Sequence, residues 1–265
     1  MERLPTLDEL GADLVATSRL RRFLILLRPP AYLACYGLAA VTGHLLVALA
    51  ALFLLVVAVV STMHDLVHGV LGLRRRATDV GLFLLGALVL VSGHAYRRTH
   101  QHHRRVFPDE SDPEGIAAHW GPLRALADGP LHVARIWWWA FSRTRRLGPR
   151  AWLVAEALVA AMLPVAAVLA RGAAPAFSAY VLLVLVGGWL YPLLTVHLPH
   201  RHFGETPELQ AHTLRGRLLP PLLLEQTYHL EHHLYPRVPS HKLPRLARRL
   251  EPVLRERGVH PVRVP

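Results

Sequence analysis

Long stretches without a charged side chain constrain the fold of this chain more than any other feature of its sequence. Residues 31–63 carry no charged residue, and as one α-helix they would be about 50 Å long. A membrane crossing needs about 20 apolar residues, so this stretch is too long for one crossing and slightly short for two. Thr42, Gly43 and His44 lie near its middle and favour a turn. We therefore predict a hairpin of two short membrane helices, lengthened at their cytoplasmic ends.

Further apolar segments follow in the chain. Residues 151–170 and 177–196 each have the length of one crossing. Residues 80–93 are apolar but short, and arginines on both flanks favour the same side of the membrane. We predict a re-entrant or interfacial helix there, and an interfacial helix at the three tryptophans of residues 137–139. The expected fold is an all-α integral membrane protein with about four transmembrane helices in two hairpins, re-entrant or interfacial helices, and a cytosolic helical cap.

The distribution of basic residues predicts the orientation. All but one of the 30 basic residues are arginine, and they flank the apolar segments, whereas the presumed outer turns hold only Arg171. By the positive-inside rule, both termini and the middle loop are expected in the cytoplasm. Because membrane flanks already explain the net charge of +12, we expect no nucleic-acid partner. Acidic residues precede the first apolar run, so we expect no signal peptide.

We predict a single domain over residues 1–265. Its parts are a cytosolic segment (1–29), a first hairpin (30–70), a re-entrant segment (78–105), a second hairpin (151–200) and a cytosolic tail (201–265). The lone cysteine, Cys35, lies within the first hairpin and is expected to be a core residue without a redox role. Glu156 lies inside the third span, where an acid is a functional candidate unless it is only hydrogen-bonded near the interface.

Most of the 18 histidines fall into four clusters at the ends of apolar segments. The clusters are HDLVH (His64, His68), HQHH (His100, His102, His103), HLPHRH (His197, His200, His202) and HLEHH (His229, His232, His233). Spacings of three and four residues place imidazoles on one face of a helix. The topology derived from charge and length places all four clusters on the cytoplasmic side. Since neutral imidazole is a common ligand of iron, copper and zinc, we predict that they converge on two metal ions.

Three motifs resemble the histidine boxes of the membrane fatty acid desaturase superfamily, which includes acyl-lipid desaturases and carotenoid hydroxylases and ketolases. The motifs are HDLVHG, HQHHRRVFPDESDPEG and YHLEHHLYPRVPSHKLPRL. The sequence LPHR, at residues 198–201, is similar to an additional histidine site of the carotenoid ketolase branch. The resemblance implies a four-span fold with a cytosolic cap and a non-haem di-iron centre that uses O2 as co-substrate. The implied iron ligands are His64, His68, His100, His102, His103, His200, His229, His232 and His233, with His197 as a weaker candidate.

The second motif departs from the spacing of the family, which is a histidine, two other residues and a histidine pair. Aligned on His102 and His103, the leading position is Thr99, and His100 follows one residue late. On a regular helix, His100 and His103 share a face while His102 points away. Either a local bulge restores the set, or one of the three is not a ligand, and His103 is then the ligand most expected to remain.

Mostly neutral ligands would leave the metals positively charged, so nearby carboxylates are expected to matter. Asp65, next to His64, and Glu231, between His229 and His232, are candidates for such a supporting role. Asp112, within SDPEG, is expected to cap a turn or helix instead.

The resemblance implies oxidation of an unactivated C–H bond in a lipid, by desaturation or hydroxylation. The third motif favours a fatty acyl desaturase, whereas LPHR favours a carotenoid hydroxylase or ketolase. The chain has no dinucleotide-binding glycine motif and no cysteine set for an iron–sulfur cluster, so electrons are expected from a ferredoxin, or from cytochrome b5 with its reductase. A metal transporter is the alternative from another class, but its ligands would lie near the bilayer midplane, where these spans are almost devoid of polar groups.

Overall fold

The chain is predominantly helical over residues 3–265, which the computed structural model describes. The α-helices are α1 (Leu7–Leu10), α2 (Arg19–Val41), α3 (Leu45–Val67), α4 (Arg75–Leu88), α5 (Gly93–Val106), α6 (Pro122–Ala127), α7 (Gly129–Ser142), α8 (Leu147–Leu169), α9 (Pro175–Gly188), α10 (Leu198–His200), α11 (Leu219–Leu222), α12 (His229–Leu234) and α13 (Leu243–Glu256). A π-helical segment, Pro192–His197, leads into α10. Two short strands, β1 (Leu214–Arg215) and β2 (Val262–Arg263), pair in parallel, with Leu214 opposite Val262.

Helices α2 and α3 form the predicted hairpin, and its turn lies at residues 42–44 as expected. Gly43 has a φ of +79°, a conformation that glycine adopts without steric cost. However, α2 begins at Arg19 rather than near residue 31, so the predicted cytosolic segment 1–29 is partly helical. The uncharged run marks only the apolar part of the helix. The main-chain hydrogen bonds of α2 continue through the arginines that precede this run. Ser18 starts α2 by accepting a hydrogen bond from the backbone N–H of Arg21. Cys35 lies on the exposed side of α2, so the prediction of a core position was wrong.

Three helical stretches are long and apolar enough to cross a membrane: Ala12–Val41, Leu45–Val67 and Leu147–Leu169. Two bent pairs also qualify, Arg75–Leu88 with Gly93–Val106 at 105°, and Pro175–Gly188 with Pro192–His200 at 41°. The chain therefore has three apolar spans among its described residues, or up to five if each bent pair is one span. These helices confirm the prediction of an all-α membrane protein, and the count of four stays a prediction.

The bend between α4 and α5 lies at the end of the short apolar stretch 80–93, within the predicted re-entrant segment 78–105. The backbone of α4 and the segment after it are in close contact at this bend. A Cβ atom added to Gly86 would lie only 2.5 Å from the carbonyl oxygen of Val91. A Cβ atom on Gly93 would collide with the backbone of Leu82. Glycine at both positions therefore allows α5 to leave α4 at a sharp angle.

Residues 5–14 pack against the C-terminal tail, and we refer to this packed unit as the cap. Leu10 and Leu14 pack in a buried core with Leu246 and Leu250 of α13. The Asp13 carboxylate pairs with Arg245 and Arg249 at 2.9 and 2.7 Å, and the Tyr235 hydroxyl donates to the carbonyl of Pro5 at 2.6 Å. Because the same core includes Leu230 of α12, this cap positions the helix that carries HLEHH. The single-domain organisation stays a prediction.

Candidate metal centre

Four histidines from three separate parts of the chain form the first histidine group. They are His64 and His68 at the end of α3, His100 on α5 and His232 on α12, and their potential ligand nitrogens lie within 4.8 Å of one another. The Nε2 atoms of His64 and His232 are 3.0 Å apart, and those of His68 and His100 are 3.1 Å apart. Residues distant in sequence therefore present imidazole nitrogens to one small volume.

The second histidine group contains His103, His200 and His233, whose potential ligand nitrogens also lie within 4.8 Å of one another. His229 adjoins this group, because its Nε2 lies 2.9 Å from that of His200 and its ring centroid is 4.6 Å from that of His233. Helix α5 contributes His100 to the first group and His103 to the second. Helix α12 contributes His232 to the first group and His233 to the second.

The two groups are neighbours. The ring centroids of His100 and His103 are 5.9 Å apart, and those of His232 and His233 are 6.0 Å apart. All of these rings are buried apart from His68 and His229, which are partly buried. The arrangement gives two adjacent donor sets of four imidazoles each.

Three of these imidazoles have a hydrogen-bond acceptor behind them. The Nδ1 atom of His103 lies 2.5 Å from Asp112, that of His100 lies 2.7 Å from Glu114, and that of His200 lies 2.7 Å from the carbonyl of Gln210. When Nδ1–H donates to such an acceptor, the lone pair on Nε2 is free to bind a metal. The acceptors therefore select the ligating tautomer and fix the ring orientation.

Asp112 and Glu114 are functional candidates that the sequence pattern did not single out for this role. The predicted turn-capping role of Asp112 is also present, since its Oδ1 accepts from the backbone N–H of Glu114 at 3.1 Å. Their position in DPEG, about ten residues after His102 and His103, is the sequence feature that could have indicated this role. Nothing in the local spacing indicated that this segment folds back onto α5.

The electrostatics of the site favour neutral imidazoles. Burial lowers the pKa values of His229, His232 and His233 well below the usual histidine value, so these rings are uncharged at neutral pH. Burial also raises the pKa of Glu114 to about 8, and a cation bound to His100 would oppose that increase by favouring the carboxylate. Neutral imidazole is the form that binds metal ions.

The donor set fits metal ions better than it fits a network of hydrogen bonds alone. The Nε2 atom of His233 is buried and has no hydrogen-bond partner among the described residues. A hydrogen bond between two neutral imidazoles uses one N–H donor and one nitrogen lone pair. A bound cation would instead use the lone pairs of all the nitrogens that converge on it.

Two of the predicted ligands do not join either group. His102 packs against Trp139, with ring centroids 4.7 Å apart, because α5 is a regular α-helix from Gly93 to Val106 and the bulge that would turn His102 inward is absent there. The Nδ1 atom of His197 lies 3.4 Å from the carbonyl oxygen of Ala117. The structure thus brings together the other eight predicted histidines.

The two acids expected to support the ligands have other partners. Asp65 accepts hydrogen bonds from the backbone N–H and the hydroxyl of Ser240, at 3.1 and 2.7 Å. Glu231 accepts from the hydroxyl of Thr213 and lies 3.5 Å from Arg215. Both side chains are buried, and these bonds connect the histidine-bearing helices to the cap. The carboxylates within hydrogen-bond distance of clustered histidines are instead those of Asp112 and Glu114.

The fold and the site define a helical membrane protein whose buried histidines converge from several helices. Residues 38–264 match the model of the fatty acid desaturase family, and the chain belongs to this family. Membership implies a desaturase-type oxidoreductase, and the histidine groups are compatible with a metal site. No curated protein matches the chain significantly.

Proposed function

We propose that this protein is a membrane-bound, O2-dependent oxidoreductase that holds two iron ions and acts on an apolar lipid. The observation that carries the proposal is the pair of adjacent donor sets, in which His100 and His103 are each oriented by a buried carboxylate. The proposed ligands are His64, His68, His100 and His232 for one ion, and His103, His200, His229 and His233 for the other. Iron with dioxygen supplies the oxidising power to remove hydrogen from an unactivated C–H bond.

The protein's own residues have three tasks in this proposal. The imidazoles provide neutral donors, so most of the positive charge of the site remains uncompensated. Asp112 and Glu114 reduce that charge and hold two rings in the ligating tautomer. The surrounding burial excludes bulk water, which protects a reactive site from side reactions.

A fatty acyl chain is the substrate that we propose, with desaturation as the reaction. The family match and the third motif, YHLEHHLYPRVPSHKLPRL, support it. A carotenoid hydroxylase or ketolase is the second candidate, since LPHR resembles the carotenoid branch and its His200 lies in the second histidine group. Lipid and pigment profiles of cells expressing the protein separate the two, and oxygenated carotene with unchanged acyl chains would favour the second.

We also propose that both termini and the metal site lie on the cytoplasmic side. The positive-inside rule supports this orientation, and the packing of Asp13 and α13 into one cap is consistent with both termini on one side. Exposed arginines near the ligands, Arg105, Arg201 and Arg237, would attract an acidic electron carrier such as a ferredoxin, or cytochrome b5 supplied by its reductase. Protease accessibility of tags at either terminus in sealed vesicles tests the orientation.

The decisive experiment is metal analysis with Mössbauer spectroscopy on protein made in iron-supplemented cells. We expect about two iron ions per chain, as a two-metal site requires. The double variant His232→Ala/His233→Ala removes one ligand from each group and should lose the iron, whereas His102→Ala should retain it. Stoichiometric zinc alone, with zinc transport into vesicles and no oxygen consumption, would support a metal transporter instead.

A further inference from the structure

Glu156 is a buried acid in α8 for which the proposed chemistry has no direct use. Only 3% of the residue is exposed, and it lies in an apolar span. Its carboxylate accepts a hydrogen bond from the hydroxyl of Ser92 and another from the backbone N–H of His94, at 3.2 Å to Oε1. The Nδ1 atom of His94 lies 2.7 Å from the same oxygen. The acid therefore contacts three polar groups of one short segment, which begins α5.

The first turn of α5 needs these acceptors. The first N–H groups of any helix lack partners within the helix, and in a membrane no water is present to satisfy them. Ser92 accepts from the N–H of Ala95 at 3.0 Å, while Glu156 accepts from the N–H of His94. A negative charge at a helix N-terminus is also favoured by the helix dipole. Glu156 thus completes a cap that α5 cannot build from its own residues.

His94 connects three helices at this point. Its ring stacks on Trp152 of α8, with centroids 4.9 Å apart and an interplanar angle of 11°. Its Nε2 lies 3.4 Å from Asp79 of α4, and Asp79 forms an ion pair with Arg97 of α5 at 2.7 Å. Together with the close backbone contact at Gly93, these interactions define where α5 starts and in which direction it runs.

The start of α5 determines the position of both metal-binding groups. His100 lies about 10 Å along the helix from Gly93 at 1.5 Å per residue, and His103 follows one turn later. Because one α5 histidine belongs to each group, any rotation or shift of the helix start would displace a ligand in both. Metal sites need their ligands held within about 0.5 Å.

We propose that Glu156 is a positioning residue, which caps α5 through Ser92 and His94 and thereby sets the geometry of both metal-binding groups. The part that concerns metal rests on the proposed function. The capping part concerns only the placement of α5.

Cobalt(II) titration of purified protein in detergent tests the metal part, since its visible spectrum reports the ligand geometry. Glu156→Ala should weaken Co2+ binding by about tenfold, as loss of a helix cap permits, and should shift the spectrum. Glu156→Gln keeps the volume but turns an NH2 donor towards other donors, so we expect a smaller change in the same direction. Tyr36→Phe is the matched control, because it removes one partly buried hydrogen bond between helices, from the Tyr36 hydroxyl to the carbonyl of Ala176 at 2.8 Å, and Tyr36 has no hydrogen bond to α5.

Hydrogen exchange of the amides in residues 93–106 tests the capping part independently of metal. Exchange should be faster in both Glu156 variants than in Tyr36→Phe. Unchanged exchange together with wild-type Co2+ affinity and spectrum in Glu156→Gln or Glu156→Ala would overturn the proposal. If Glu156→Ala does not fold, the exchange rates and Co2+ titration of Glu156→Gln alone test the proposal. If the wild-type protein binds no Co2+, the proposed metal function fails, while the exchange rates still decide whether Glu156 holds α5.

Discussion

The Nδ1 atom of His103 lies 2.5 Å from the carboxylate of Asp112, and both side chains are almost fully buried. Glu114 has the same relationship with His100 at 2.7 Å. One short segment therefore supports one histidine in each group. A carboxylate behind a ligating imidazole fixes its tautomer and increases its basicity, so residues 112–114, at the end of the second histidine motif, are part of the site.

Loss of either carboxylate should weaken metal binding. We expect Asp112→Asn and Glu114→Gln each to reduce metal affinity by about 10- to 100-fold, the usual effect of removing a partner of a metal-bound histidine. Competition with a chelator of known affinity measures the change. Glu110→Gln alters an exposed acid of the same segment and should leave the affinity unchanged. Wild-type affinity in both buried variants would contradict the assigned role.

The adjacent histidines of α5 should differ in their effect. His103→Ala removes a member of the second group, so bound metal should fall by at least half, whereas His102→Ala removes only the contact with Trp139. Metal content after purification, measured by mass spectrometry, distinguishes the two variants. Equal losses would contradict the assignment of His103, and not His102, to a histidine group.

Arg104 connects the second and third histidine motifs, because its guanidinium donates to the carbonyl of His233. Arg104→Gln should lower the free energy of unfolding by about 1.5–3 kcal/mol, the range for a hydrogen bond to a charged group. It should also reduce activity, since α12 loses a contact next to a ligand. Arg105→Gln alters an exposed neighbour and should leave the free energy of unfolding unchanged. Denaturant unfolding in detergent provides the comparison, and equal stability of the two variants would exclude the connecting role.

Asp65 should contribute to stability through Ser240. Asp65→Ala leaves the buried backbone N–H and hydroxyl of Ser240 without their acceptor, so we expect a loss of about 1–3 kcal/mol in the free energy of unfolding. Ser240→Ala retains the backbone bond and should cost less. Thermal unfolding of both variants tests the order, and a larger loss in Ser240→Ala would be inconsistent with it.

Bound metal should stabilise the folded protein by mass action. A free metal concentration of 100 times the dissociation constant should add about 2.7 kcal/mol to the free energy of unfolding, because the unfolded chain lacks the assembled site. Chelation should remove this increment. The variant His232→Ala/His233→Ala should show almost no dependence of its melting temperature on metal concentration. A similar dependence in this variant would place the binding site elsewhere.

Much of the helical framework follows from local sequence patterns. The uncharged run of residues 31–63 and the turn at residues 42–44 predicted the first hairpin, because length and polarity are properties of the segment itself. In the same way, helical periodicity predicted that His100 and His103 share a face and that His102 points away, and α5 is regular there. Local patterns were less informative at helix ends, where α2 continues through its arginines to Arg19.

Tertiary packing alone decided which distant groups meet. His64 faces His232 across 168 positions of sequence, Asp65 binds Ser240 rather than a histidine, and Glu156 caps a helix that starts 63 residues before it. By itself, the sequence determined where helices run and which faces carry histidine, because these depend on the spacing of neighbouring residues. The partners of those faces depend on how the helices and the cap pack together, and that packing is a property of the whole chain.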